Sequence, residues 1–184
     1  MIDAPALWRA VFGNDHPVVV EIGPGRGEFL VAYARTHPDQ NILGIERSPA
    51  RTAEIQRRLA AAELANARVL TGDAICVLAL LPDGWVAAYH ILFPDPWWKR
   101  RHQRRRLFTG TLVSLARRTL EPGGTIELVT DVAEYFTRAR QLLDADPELE
   151  PVSTGGTGAI HTSFARKAER RGAPLYRCVY RRRR

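Results

Sequence analysis

The chain has 184 residues and a formal charge of +7, from 27 Lys and Arg against 20 Asp and Glu. Its 45% hydrophobic and 26% charged residues exclude a disordered or fibrous protein and suit one globular domain over 1–184. No stretch nears the roughly 20 apolar residues of a membrane span. Residues 1–10 lack a signal-peptide pattern, and Cys76 and Cys178 make neither a metal spacing nor a disulfide framework, so a reduced, cytoplasmic protein is expected.

Taken in chain order, residues 1–16 read as a short amino-terminal extension. Val18-Val19-Val20-Glu21-Ile22 reads as a buried parallel strand, followed by a helix over 28–36 and a strand over 41–45. Ser48 as N-cap and Pro49 at the first helical position open a helix reaching about residue 64. A third strand over 68–70, a short helix over 74–80 and a fourth strand over 85–93 follow. Helical spacing of Phe108, Leu112, Leu115 and Thr119 predicts a helix over 105–120, stopped by Glu121-Pro122-Gly123-Gly124. A fifth strand over 125–129 and a helix over 132–143 complete the alternation, and 149–153 and 175–180 are the closing strands. This pattern predicts an α/β fold, a doubly wound and mostly parallel sheet with an antiparallel edge.

In such sheets ligands sit at the carboxyl ends of the strands, near the switch in strand order. After the first strand, Gly23, Gly25 and Gly27 form a G-x-G-x-G loop flanked by Glu21 and Glu28. The dinucleotide fingerprint requires glycine where Glu28 stands, which disfavours a nicotinamide-dependent oxidoreductase. Glu46 ends the second strand, where an acid accepts from ribose hydroxyls; Asp73 follows the third, Asp95 the fourth and Asp131 the fifth. Any one acid can be a helix cap. Five strand ends that each carry one fit a nucleoside with a positive centre, S-adenosylmethionine.

The charge is uneven. Residues 97–118 and 161–184 carry +8 each, which leaves −9 on the rest against the total of +7. Both basic segments are expected to flank the mouth of the site and to meet a polyanion, with Arg104 and Arg105 contacting phosphates at the start of a helix. Trp97 and Trp98 offer stacking faces or core packing. His102 and His161 have no metal-ligand partners in the sequence, and no metal site is expected.

The run P-D-P-W-W-K-R-R-H-Q-R-R-R-L over 94–107 resembles the bacterial tRNA (guanine-N7)-methyltransferase signature. That signature is Pro-Asp-Pro-Trp, then Lys, basic residues, a His and an Arg-Arg pair. The glycine loop, Gly44-Ile45-Glu46, Gly72-Asp73-Ala74, Thr130-Asp131 and the segment from Thr162 follow in the family's order, so the resemblance covers nearly the whole chain. It implies a seven-stranded Rossmann-like methyltransferase sheet and methyl transfer from S-adenosylmethionine to N7 of a guanosine in the tRNA variable loop. It also implies that Glu21, Glu46, Asp73 and Asp95 contact the donor beside the loop glycines, that Asp95 is catalytic, and that Lys99, Asp131 and Thr162 bind substrate. The family's closing motif ends in Glu, whereas this chain has Thr162-Ser163-Phe164-Ala165. The expected partner is tRNA, with no metal and no membrane, for a monomer or homodimer. The alternatives are an N-methyltransferase acting on a free purine-like molecule and a noncatalytic RNA-binding relative.

Overall fold

Two apolar runs without alternation form interior strands of the sheet: β1 (Val18–Ile22) and β2 (Asn41–Glu46) are buried at every position. Strands covered on both faces need apolar residues on both, which is the reason for the missing alternation. The computed structural model describes residues 4–96, 107–153 and 163–184. Among these, β3 (Ala67–Thr71), β4 (Val86–Leu92), β5 (Leu120–Thr130), β6 (Leu149–Val152) and β7 (Tyr176–Arg182) complete a seven-stranded sheet in the order β3-β2-β1-β4-β5-β7-β6. The first five strands are parallel; β7 runs antiparallel between β5 and β6. The direction of strand order reverses between β1 and β4, and this is the switch point of the sheet.

One face carries Val19, Ile42 and Val69, packed by Leu30 of α2 (Glu28–Thr36) and Ile55 of α3 (Pro49–Ala61). The opposite face carries Val20, Leu43, Tyr89, Ile91, Ile126 and Leu128. It packs against α1 (Ala4–Phe12), α4 (Ala74–Leu80), α5 (Gly110–Thr119) and α6 (Ala133–Asp144). The last helix, α7 (Ser163–Arg170), precedes β7.

The expected strands recur within two residues at their ends, except the fifth. That strand begins at Leu120, because pairing with β4 spans Pro122-Gly123-Gly124, where Gly123 turns to φ 88° and an irregularity between Val86 and Ala88 takes up the extra length. Among the described residues, which resume at 107, the helix expected over 105–120 begins at Gly110. Thr109 is extended and its side chain accepts from the Leu112 amide at 3.2 Å, a cap that fixes the start. The helix after Ser48 ends at Ala61 rather than 64, since Glu63 turns left-handed at φ 53° and Leu64 donates back to the Leu59 carbonyl. Within the stretch read as an extension lies α1, whose Trp8 and Phe12, one turn apart, enter the core. Arg68 lies over the Phe12 ring at 5.7 Å.

Candidate active site

At the end of β1 the chain turns over Gly23 to Gly27 into α2. Gly23 and Gly27 sit at φ 74° and 73°, which disfavours any side chain. A Cβ on Gly27 would also come within 2.9 Å of Ile55, so α2 and α3 meet through that glycine. Above Gly23 a Cβ would meet nothing within 4 Å, and the loop faces open space there. The Gly25 amide donates to Glu46 Oε2 at 3.1 Å, tying the loop to the end of β2.

Strand order sets the five acids side by side as Asp73, Glu46, Glu21, Asp95 and Asp131 along the carboxyl edge. At about 4.8 Å per strand, this edge spans ~19 Å from β3 to β5. Two of the acids are buried. Glu21 is 3% exposed and its Oε2 has no hydrogen-bond partner. Burial pushes its pKa up to about 8, with the Leu30 amide opposing and Glu46 adding to the rise. Glu46 is buried too, yet both its oxygens are engaged: Oε1 accepts from the Ser48 amide at 2.8 Å and Oε2 from Gly25. Its carboxylate plane is therefore fixed, with lone pairs to spare. Asp73 is exposed and caps α4 by accepting from the Ile75 amide at 3.0 Å.

Asp95 is exposed beyond β4, and its position depends on Phe93. Phe93 donates its amide to the Val129 carbonyl at 2.8 Å and takes φ 51°, left-handed backbone that costs an aromatic residue about 1–2 kcal/mol. That turn throws Pro94-Asp95-Pro96 sharply out of the sheet. Asp131 is exposed past β5, where Thr130 Oγ1 accepts from the Val132 amide at 3.2 Å. Lys99, Arg104, Arg105 and Thr162, with Trp97, Trp98, His102 and His161, lie outside the described residues.

Sequence reading missed a polar row on the face of Glu21. In register, Glu21 pairs with His90, and His90 with Glu127. His90 Nδ1 lies 2.7 Å from Glu127 Oε2, and Arg177 Nε donates to Glu127 Oε1 at 2.6 Å. Phe29 and Tyr33 of α2 pack on the His90 ring at 4.9 and 5.3 Å. A glutamate and a histidine at mid-strand positions among apolar neighbours were the available signal. A second link was also unforeseen: Arg166 of α7 donates to Glu28, the first residue of α2, at 2.9 Å. Ala165, where the family carries Glu, is 2% exposed and faces the interior, while Glu169 is exposed.

The described part of the two basic segments is split between the two ends of the sheet. Because β7 is antiparallel, Arg181 pairs with Thr125 and Arg182 with Leu149, at the edge opposite the carboxyl ends. There Glu150 takes Arg181 at 2.6 Å and Arg183 at 3.7 Å, and Arg182 donates to the Leu120 carbonyl. Arg117 pairs with Asp146 and Glu148, and Arg118 with Asp83. Among the described residues, Arg166 sits at the site end and Arg177 lies opposite Val129 near the carboxyl end of β5. No trio of His, Cys, Asp or Glu among the described residues is placed to hold a metal, and no helix among them is long and apolar enough to cross a membrane.

The family model described as "Putative methyltransferase" matches residues 15–178. The tRNA (guanine-N(7)-)-methyltransferase of Rhodopirellula baltica is 36% identical over 98% of this chain and 72% of its own length. Its namesake from Acidithiobacillus ferrooxidans is 36% identical over 98% of this chain and 82% of its own. Among solved structures, the 16S rRNA methyltransferase KamB superposes with a TM-score of 0.71 at 17% identity, covering 100% of this chain and 96% of KamB. The aminoglycoside resistance methyltransferase NpmB1 gives 0.65 at 18%, covering 99% and 94%. These two likenesses show a shared methyltransferase fold. With a glycine loop and an acidic strand edge at the switch point, and relatives of this identity and coverage, the chain belongs to the tRNA (guanine-N7)-methyltransferase family.

Proposed function

We propose that the chain transfers the methyl group of S-adenosylmethionine to N7 of a guanosine in the variable loop of tRNA, in the cytoplasm, as a monomer or homodimer. The observation that carries this reading is Glu21, a buried carboxyl with an unpaired oxygen beside an open glycine loop. A buried carboxyl oxygen lacking a partner is costly unless a ligand supplies one, and a ligand ammonium does so. The other groups fit the donor as well. Glu46 has spare lone pairs for ribose hydroxyls, and Asp73 is exposed where an adenine amino group can donate to it. When bound, the donor supplies an electrophilic methyl on a positive sulfonium.

Guanine N7 has a lone pair and no proton, so no side chain is needed to remove one. The work of the protein is alignment for in-line displacement and stabilisation of charge that develops on the purine. Asp95, aimed by the Phe93 turn and stiffened by Pro94 and Pro96, accepts from guanine N1–H and the 2-amino group together with Asp131. Lys99 and Thr162 add substrate contacts, and Arg104 and Arg105 meet phosphates.

The test is incubation with methyl-labelled S-adenosylmethionine and either unmodified tRNA transcript or free guanosine. Label in tRNA is expected. Label confined to free guanosine would favour a small-molecule N-methyltransferase, and donor binding without any transfer would favour a noncatalytic RNA-binding protein.

A further inference from the structure

Among the described residues, two buried polar atoms without a hydrogen-bond partner belong to neighbouring strands: Oε2 of Glu21 and Nε2 of His90. The parallel strands β1 and β4 pair Glu21 with His90, so both side chains leave the same face of the sheet. The start of α2 covers both. The Leu30 amide donates to the Glu21 carboxyl, and the Phe29 and Tyr33 rings pack on His90. Glu127 on β5 holds His90 Nδ1 at 2.7 Å and is itself held by Arg177. That contact favours the ring proton on Nδ1 and leaves Nε2 as an acceptor directed away from β5.

We propose that His90 is a positioning residue for donor binding, acting on Glu21 through one buried water shared by Glu21 Oε2 and His90 Nε2. This rests on the reading of Glu21 as the partner of the donor's ammonium. Neighbouring strands lie about 4.8 Å apart, which suits one bridging water better than a direct hydrogen bond. Water has two hydrogens to give, and that fits both states of the site. Before the donor binds, protonated Glu21 donates to the water and the water donates to Nε2. Once the ammonium is bound, Glu21 has lost its proton to solvent, and the water donates to the carboxylate and to Nε2 together. Carboxylate lone pairs beyond those used by the water and the Leu30 amide are left for the ammonium. Without Nε2 the water loses its second anchor, and the carboxylate loses a donor.

The probes are S-adenosylhomocysteine, which carries the ammonium, and 5′-methylthioadenosine, which lacks it; neither has an activated methyl group. Both are titrated calorimetrically into the wild-type chain, His90→Asn and His90→Gln. His90→Asn keeps a donor for Glu127 and has nothing in the place of Nε2. His90→Gln keeps an acceptor near Nε2 and gives up the Glu127 contact. His90→Asn should bind S-adenosylhomocysteine about fivefold more weakly, the worth of one net hydrogen bond, and 5′-methylthioadenosine within about twofold of wild type. His90→Gln should bind both ligands within about twofold of wild type, although it melts at a lower temperature than His90→Asn. A structural role predicts the opposite order of the two variants. Wild-type affinity for S-adenosylhomocysteine in His90→Asn overturns the proposal, as does an equal loss for both ligands or a His90→Gln variant as weak as His90→Asn. A wild-type chain that binds neither ligand fails the donor reading and this proposal with it; one that binds both while ignoring His90 fails this proposal alone.

Discussion

Glu21 shows how one buried atom makes a site measurable. The unfolded chain loses this proton near 4.5 and the folded chain near 8. Between those values the unfolded state is the less protonated, so the stability of the ligand-free protein falls as pH rises from about 4.5 to about 8. Glu21→Gln should flatten that decline and stabilise the ligand-free protein at pH 8 by ~2–4 kcal/mol, read by denaturant unfolding. The same variant should weaken donor binding at least tenfold. Titration calorimetry in buffers of different ionisation enthalpy should show the wild-type protein releasing a proton on donor binding near pH 7. At Asp95 the expectation is kinetic: Asp95→Ala should abolish transfer and leave the melting temperature within a few degrees, since the residue is exposed. Normal turnover in that variant would remove Asp95 from the reaction. The acids were legible because strand ends are where such sheets bind ligands. That Glu21 Oε2 is left without a partner was not, since it depends on what α2 places over it.

Across β4, β5 and β7, Glu127 ties a parallel strand to the antiparallel one. Burial raises its pKa, but His90 and Arg177 outweigh that and hold it below the usual value. The stabilisation is therefore full above about 4.5 and is lost as pH falls through the depressed folded pKa. Glu127→Gln should cost about 2–4 kcal/mol at pH 7, and the cost should shrink in acid. An equal loss at pH 7 and pH 3 would show that the charge is not what matters. Helix α1 escaped the sequence because nine residues give little periodicity, and its place is fixed by Trp8 and Phe12 packing on elements far along the chain. Capping decided the start of α5 in the same way: the apolar spacing marks the helix, but Thr109 sets where it begins.

At the scale of the molecule, the two +8 segments divide by position rather than by sequence. The sequence exposed their sign and the antiparallel edge, but not that this edge carries the terminal arginines to the far side, where Glu150 pairs with Arg181 and Arg183. Arg181→Ala with Arg183→Ala should therefore leave tRNA affinity and its salt dependence unchanged. Arg104→Ala with Arg105→Ala should weaken tRNA binding and reduce the salt slope by about 1–2. The reverse pattern would place the RNA on the opposite edge of the sheet. The opening +7 is the difference between an acidic strand edge suited to a cationic donor and basic surfaces suited to RNA, of which one part is committed to holding the fold together. The most direct measurement is chemical cleavage at 7-methylguanosine, by reduction and aniline, of an unmodified tRNA transcript incubated with the protein and S-adenosylmethionine. Cleavage at one guanosine of the variable loop is predicted; methyl incorporation with no such cleavage would contradict it.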